Sequence, residues 1–327
     1  MSTTTDSTQQ MRARTIWRAC RNLIVSLGLV TGIAVNHASA QVAQVAVPTI
    51  AAEPIEVLLA GNSIVYFNNL PAHLEAFAKA AGGPTFRVTM LAGPGHRITQ
   101  HAAAGVVAET LRQQHFDWLV LQDFGSGWLC GPQQKQLDFQ CSESLKAHQQ
   151  LAEAAQQAGT HVLILGTYSM DAESAVALAR NEQSLAQTIG AARVSLASFP
   201  LCRSSFPDYR WLAPDGGHPG PDLTAMMAMK LLDAMSLPPT VQTPVQVSAH
   251  GFDLKRSPRA TVPYHTTNAL PLTPIDQWVY APERLRTLAQ CNAETAAAIA
   301  AHCGNQLECV GRDPVWRVKW VGRLGSH

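Results

Sequence analysis

Apolar residues come in short unbroken runs separated by longer stretches in which they recur every three or four positions. The runs Ile55–Ala60, Phe86–Leu91, Trp118–Gln122, Val162–Gly166 and Arg193–Ala197 read as strands. Runs such as Trp118-Leu119-Val120-Leu121 and Val162-Leu163-Ile164-Leu165 show no polar alternation, so each strand is predicted to be buried on both faces. Between them Pro71–Ala81, Ile98–Gln114, Ser142–Ala158 and Ala172–Thr188 carry helical spacing, and a last helix covers Asp222–Met235. Repeated β-α units with short connections predict an α/β fold, a three-layer α/β/α sandwich around a parallel sheet.

The pattern fails at both ends. Residues 237–282 are rich in proline and threonine without a long period, and read as an extended excursion over the surface. Pro282–His302 reads as a helix, and Val315–Val321 alternates as an edge strand. Residues 237–327 are thus a C-terminal extension, expected to pack on the domain formed by residues 55–236. At the start, Arg12, Arg14, Arg18 and Arg21 precede the apolar run Leu23–Val30, and the stretch closes on Ala38-Ser39-Ala40. That order describes a signal peptide over residues 1–40, with a linker over 41–54. The run is interrupted by Ser26 and Gly28, so no stable membrane insertion is expected after cleavage. The chain is therefore expected to be exported, to the periplasm or the extracellular space.

Charge and cysteines narrow the function. A net charge of +1 leaves no broad basic surface, which argues against a nucleic-acid partner. Loss of Cys20 with the leader leaves Cys130, Cys141, Cys202, Cys291, Cys303 and Cys309, an even set suited to disulfides in an exported protein. Their pairing is open. Short loops favour Cys130–Cys141 and Cys303–Cys309, which leaves Cys202 for Cys291. No cysteine spacing fits a zinc site, and His96, His101 and His115 lack the i, i+4 spacing of a helical ligand pair, so neither metal nor other cofactor is expected.

Candidate chemistry sits at two points. Ser63 follows the first strand in Gly61-Asn62-Ser63-Ile64, and Asp215-Gly216-Gly217-His218-Pro219 sets an acid three residues before an imidazole. A serine hydroxyl is a weak nucleophile until an imidazole accepts its proton, and the imidazole needs an acid to fix its tautomer. The serine alone is weak evidence, because helix capping is a competing role for it. The serine, aspartate and histidine in this order make Ser63, Asp215 and His218 the candidate catalytic set.

These blocks resemble those of the SGNH, or GDSL-like, hydrolase superfamily over roughly residues 55–235. Gly61-Asn62-Ser63-Ile64 matches the first block, Gly93-Pro94-Gly95 lies where a glycine belongs after the second strand, and Asp215-Gly216-Gly217-His218 matches the last. The third block departs: Leu121-Gln122-Asp123 stands where an asparagine is usual, and looks like a divergent branch. The resemblance implies a flavodoxin-like, five-stranded sheet and a serine esterase that forms an acyl-enzyme. It implies an oxyanion hole from the Ser63 N–H, the Gly95 N–H (with Gly93 as competitor) and the Gln122 side chain. Asn62, His101 and Asp123 are expected to support the site. The implied partner is a small-molecule or glycan ester, short acyl groups first. Two alternatives use the same residues differently: an O-acyltransferase with this triad, or a non-catalytic glycan-binding protein that keeps the fold.

Overall fold

A computed structural model describes residues 53–123, 138–237, 241–250, 262–265 and 275–291. Residues 1–40, the alternating stretch 315–321, and Cys130, Cys303 and Cys309 of the two short-loop pairs lie outside the described residues.

Five parallel strands form the centre: β1 (Ile55–Gly61), β2 (Phe86–Ala92), β3 (Trp118–Leu121), β4 (His161–Leu165) and β5 (Ala192–Val194), in the spatial order β5-β4-β3-β1-β2. This is the flavodoxin-like order, in which the chain reverses direction of growth beside β1. The strand sequences explain why the sheet is covered on both sides. Side chains alternate across a strand, and Val57 and Leu59 enter one buried cluster while Leu58 and Ala60 enter another. Val120, Leu163 and Leu165 join the first cluster, and Leu119, Leu121, Val162 and Ile164 the second. An unbroken apolar run is what such a strand requires.

Helices α1 (Ser63–Tyr66) and α2 (Leu70–Ala80) follow β1, and α3 (Ile98–Ala104) and α4 (Val106–Gln113) follow β2. Then come α5 (Asp138–Gln157), α6 (Ala172–Ile189), α7 (Phe199–Ser205) and α8 (Pro221–Ala234). Helices α2 and α8 cover the first face, and α3, α4 and α5 the second. The single helix expected over 98–114 is two, because Gly105 takes a left-handed conformation (φ 70°) that ends α3 and starts α4.

The extended excursion is also corrected. The described residues between 245 and 280 form three strands, β6 (Val245–His250), β7 (Val262–His265) and β8 (Ile275–Tyr280). β6 and β8 pair as an antiparallel ribbon, and β7 adds antiparallel to the free edge of β2. A helix over residues 282–291, α9, follows. Trp278, Tyr280, Leu285 and Leu288 belong to the same buried cluster as α2 and α8. Three ties fix this segment: Tyr280 donates its hydroxyl to Pro221 O (2.9 Å), Arg284 grips Asp222 through two 2.6 Å bonds, and Cys202 of α7 is disulfide-bonded to Cys291. No helix among the described residues is long and apolar enough to cross a membrane.

Candidate active site

In a doubly wound sheet the loops at the carboxyl ends of the strands form one rim. The candidate site residues come from that rim, from α3 just beyond it or from the loop before α8. β1 ends at Gly61, where a Cβ would meet Val65 Cγ2 at 2.9 Å and Gln122 Oε1 at 3.0 Å. Only a glycine lets the chain turn this tightly against β3. Asn62 then caps α1: its Oδ1 accepts the Ile64 N–H (3.0 Å), and its Nδ2 donates to His96 O (3.0 Å). Capping, the competing role for the serine, thus belongs to Asn62. Ser63 is the first residue of α1 and nearly buried, and its hydroxyl has no hydrogen-bond partner among the described residues.

After β2, His96 N–H closes a turn onto Gly93 O (3.1 Å), with Pro94 and Gly95 (φ 63°) at its corner. Proline followed by a left-handed glycine is the type II turn signature. Gly93 is buried and Gly95 exposed. A Cβ on Gly93 would lie 2.5 Å from the His96 ring, so that imidazole rests directly on the backbone. His101, buried on α3, donates Nε2–H to Gly61 O (2.8 Å), while its Nδ1 has no partner among the described residues. Burial lowers its pKa, with the nearby His96 adding to the effect against the Gly61 bond, so the ring is held neutral. His101 therefore secures the end of β1 immediately before Asn62 and Ser63.

At the end of β3, Gln122 is fully buried. Its Oε1 accepts the Asn62 N–H (3.3 Å) and its Nε2 donates to Asp123 O. An amide nitrogen carries two hydrogens, and that bond uses one of them. Asp123 ties the rim to its helices: Oδ1 accepts the Ile98 N–H (3.2 Å) and Oδ2 the Ser144 hydroxyl (3.2 Å).

Asp215 and His218 share one hairpin-like loop. Gly220 N–H donates to Trp211 O (2.7 Å) and Ala213 N–H to His218 O (2.9 Å), so residues 211–213 run against 218–220. Gly220 has no room for a side chain, since a Cβ would fall 2.2 Å from Arg210 O. Asp215 Oδ2 lies 2.5 Å from His218 Nδ1, and Oδ1 accepts the N–H groups of Gly217 and His218 at 3.0 Å each. Burial opposes ionisation of Asp215, but those backbone N–H bonds and the imidazole outweigh it and hold the carboxyl at about 2. An ionised Asp215 keeps the His218 proton on Nδ1, so Nε2 presents its lone pair.

Two contacts bring this loop to the serine. The Phe67 ring, at the end of α1, stacks on His218 with centroids 4.7 Å apart and planes 10° from parallel. Asn68 Nδ2 donates to Pro219 O. Neither residue is marked by a motif, although Phe67 lies four after Ser63, one helical turn along the same face. Tyr168, likewise unmarked by any motif, follows β4 and donates its hydroxyl to Gly217 O (2.5 Å). Trp211, at the start of the same loop, is core: it is 3% exposed and donates Nε1–H to Phe206 O (2.7 Å). Among the described residues no group of three or more His, Cys, Asp or Glu side chains is arranged to hold a metal ion.

No protein-family model matches the chain, and no curated protein sequence does. Its backbone is similar to that of a DUF4886 family protein from Bacteroides uniformis ATCC 8492, at 12% identity and a TM-score of 0.48, over 75% of this chain and 95% of that one. A lipase/acylhydrolase from Enterococcus faecalis aligns at 16% identity and a TM-score of 0.41, over 57% of this chain and 100% of its own. A catalytic mutant of an acetylxylan esterase from Geobacillus stearothermophilus aligns at 14% identity and a TM-score of 0.44, over 58% and 97%.

Proposed function

We propose that the protein is an exported serine esterase of the SGNH type that cleaves carboxylic esters through an acyl-enzyme on Ser63. One observation carries the reading: Ser63 opens the short helix whose far end stacks on His218, and the Nδ1 of His218 is bonded to Asp215. Nucleophile, base and orienting acid are thereby joined through two short segments. Asn62, His101 and Asp123 hold the first segment by the bonds described above.

In this reading His218 Nε2 takes the Ser63 proton as Oγ attacks the ester carbonyl. The oxyanion is met by the Ser63 N–H, the Gly95 N–H and the second Nε2–H of Gln122. Collapse of the tetrahedral intermediate releases the alcohol, which takes the proton from His218. Water, deprotonated by the same nitrogen, then frees the acid and restores Ser63. Every step uses groups of the chain itself. The proposed substrates are short-acyl esters, with acetylated glycans met outside the cell foremost. Hydrolysis of p-nitrophenyl acetate, butyrate and octanoate by wild type and Ser63→Ala tests this. Turnover that declines with chain length and disappears in the variant supports it; equal inertness of both proteins refutes it.

A further inference from the structure

We infer that Tyr168 is a positioning residue for the acid–base loop, clamping the peptide group between Gly217 and His218. The Gly217 carbonyl and the His218 N–H belong to one rigid plane. Asp215 Oδ1 holds the N–H side at 3.0 Å, and the Tyr168 hydroxyl holds the carbonyl side at 2.5 Å. Two bonds on opposite edges fix the rotation of that plane, and with it the direction in which His218 leaves the backbone. The loop needs such a clamp. Gly216 and Gly217 are adjacent glycines, the most freely rotating pair a chain can contain, and Gly216 already sits at φ 71°.

Tyr168 is itself held. Its ring meets the buried Phe199 edge-on at 5.2 Å. The backbone before it is fastened by Glu182 of α6, which is 1% exposed and accepts the Thr167 N–H through Oε1 (2.8 Å). The carboxylate lies so close to β4 that a Cβ on Gly166 would come within 2.3 Å of it. Burial, helped by the Asp215 carboxylate, raises the Tyr168 pKa, so the phenol stays a donor at any ordinary pH. A line of contacts thus runs from α6 through the end of β4 to the base.

The catalytic consequence rests on the esterase reading; the clamp itself does not. Tyr168→Phe removes one oxygen and keeps the ring on Phe199, so the variant folds. Amide exchange of the full chain is expected to speed up at His218 N–H, because a peptide plane held only by Asp215 opens more often, by up to about five- to tenfold, the factor of one net hydrogen bond. On p-nitrophenyl acetate, kcat is expected to fall by a similar factor with KM within about twofold, the pattern of a lost transition-state interaction. Unchanged exchange at His218 overturns the clamp, whatever the activity. Faster exchange with unchanged kcat in an active enzyme overturns the positioning role. A wild type that cleaves no ester refutes the esterase reading instead, and exchange still decides the clamp.

Discussion

Phe67 lies flat on His218, with ring centroids 4.7 Å apart and planes 10° from parallel. The helix that begins with Ser63 therefore ends on the imidazole proposed as its base. An aromatic pair of this kind contributes about 0.5–1.5 kcal/mol beyond its buried area. Phe67→Leu is expected to lower kcat by about three- to tenfold while the thermal midpoint changes little. Steady-state kinetics against circular dichroism melting checks the pair.

Asp215 fixes the tautomer of His218, so Asp215→Asn is expected to reduce kcat by about 10²- to 10⁴-fold with little change in KM. Its pKa is depressed from the usual carboxylate value to about 2. A depressed carboxylate stabilises the fold above its unfolded value, and the contribution is lost as pH falls through the folded value. The stability difference between wild type and Asp215→Asn should therefore be constant above about pH 5 and shrink between about pH 4 and 2. Urea titrations across that range measure it.

His73 gives the opposite lesson about histidine. It is fully buried, with Nδ1 3.0 Å from Asn69 O and Nε2 2.8 Å from the Tyr280 hydroxyl oxygen. Burial, against the Asn69 bond, lowers its pKa to about 4. The unfolded chain then binds a proton that the folded chain refuses, so stability drops as pH falls from about 6.5 toward 4. The loss attributable to His73 is about 3 kcal/mol over that window. Denaturation midpoints of wild type and His73→Gln at pH 7.5 and 4.5 should converge by that order.

The Cys202–Cys291 bond closes a loop with a sequence separation of 89 and pins α9 to α7. For a loop of that length the entropic stabilisation is about 4.6 kcal/mol. Paired Cys202→Ala and Cys291→Ala substitutions are expected to lower the thermal midpoint by about 5–10 °C without abolishing esterase activity, which calorimetry and p-nitrophenyl acetate turnover can check together.

The sheet was legible because its strands are buried on both faces: Val57-Leu58-Leu59-Ala60 can only be satisfied by helices above and below. The pairing of Asp215 with His218 was legible because an acid three residues before an imidazole can reach it within one loop, and the two lie 2.5 Å apart. The rest depends on contacts between distant segments. Nothing local shows that Phe67 meets His218, or that Tyr168 meets Gly217. β7 was hidden because Val262-Pro263-Tyr264-His265 contains a proline, which a strand tolerates only at an edge, and there it lies. β6 and β8 were hidden because polar residues interrupt each run and each finds its partner across a proline-containing stretch. Gly105 alone misled the helix reading, since an isolated glycine in a periodic run does not announce a break.

The central claim is that Ser63 is an activated nucleophile. Its most direct test is covalent labelling of the protein with an organophosphonate, read by intact mass and peptide mapping. One adduct on Ser63, absent from Ser63→Ala and formed far more slowly in His218→Ala, is the predicted result. A wild-type protein that takes up no phosphonate, or takes it up equally without His218, would contradict the account.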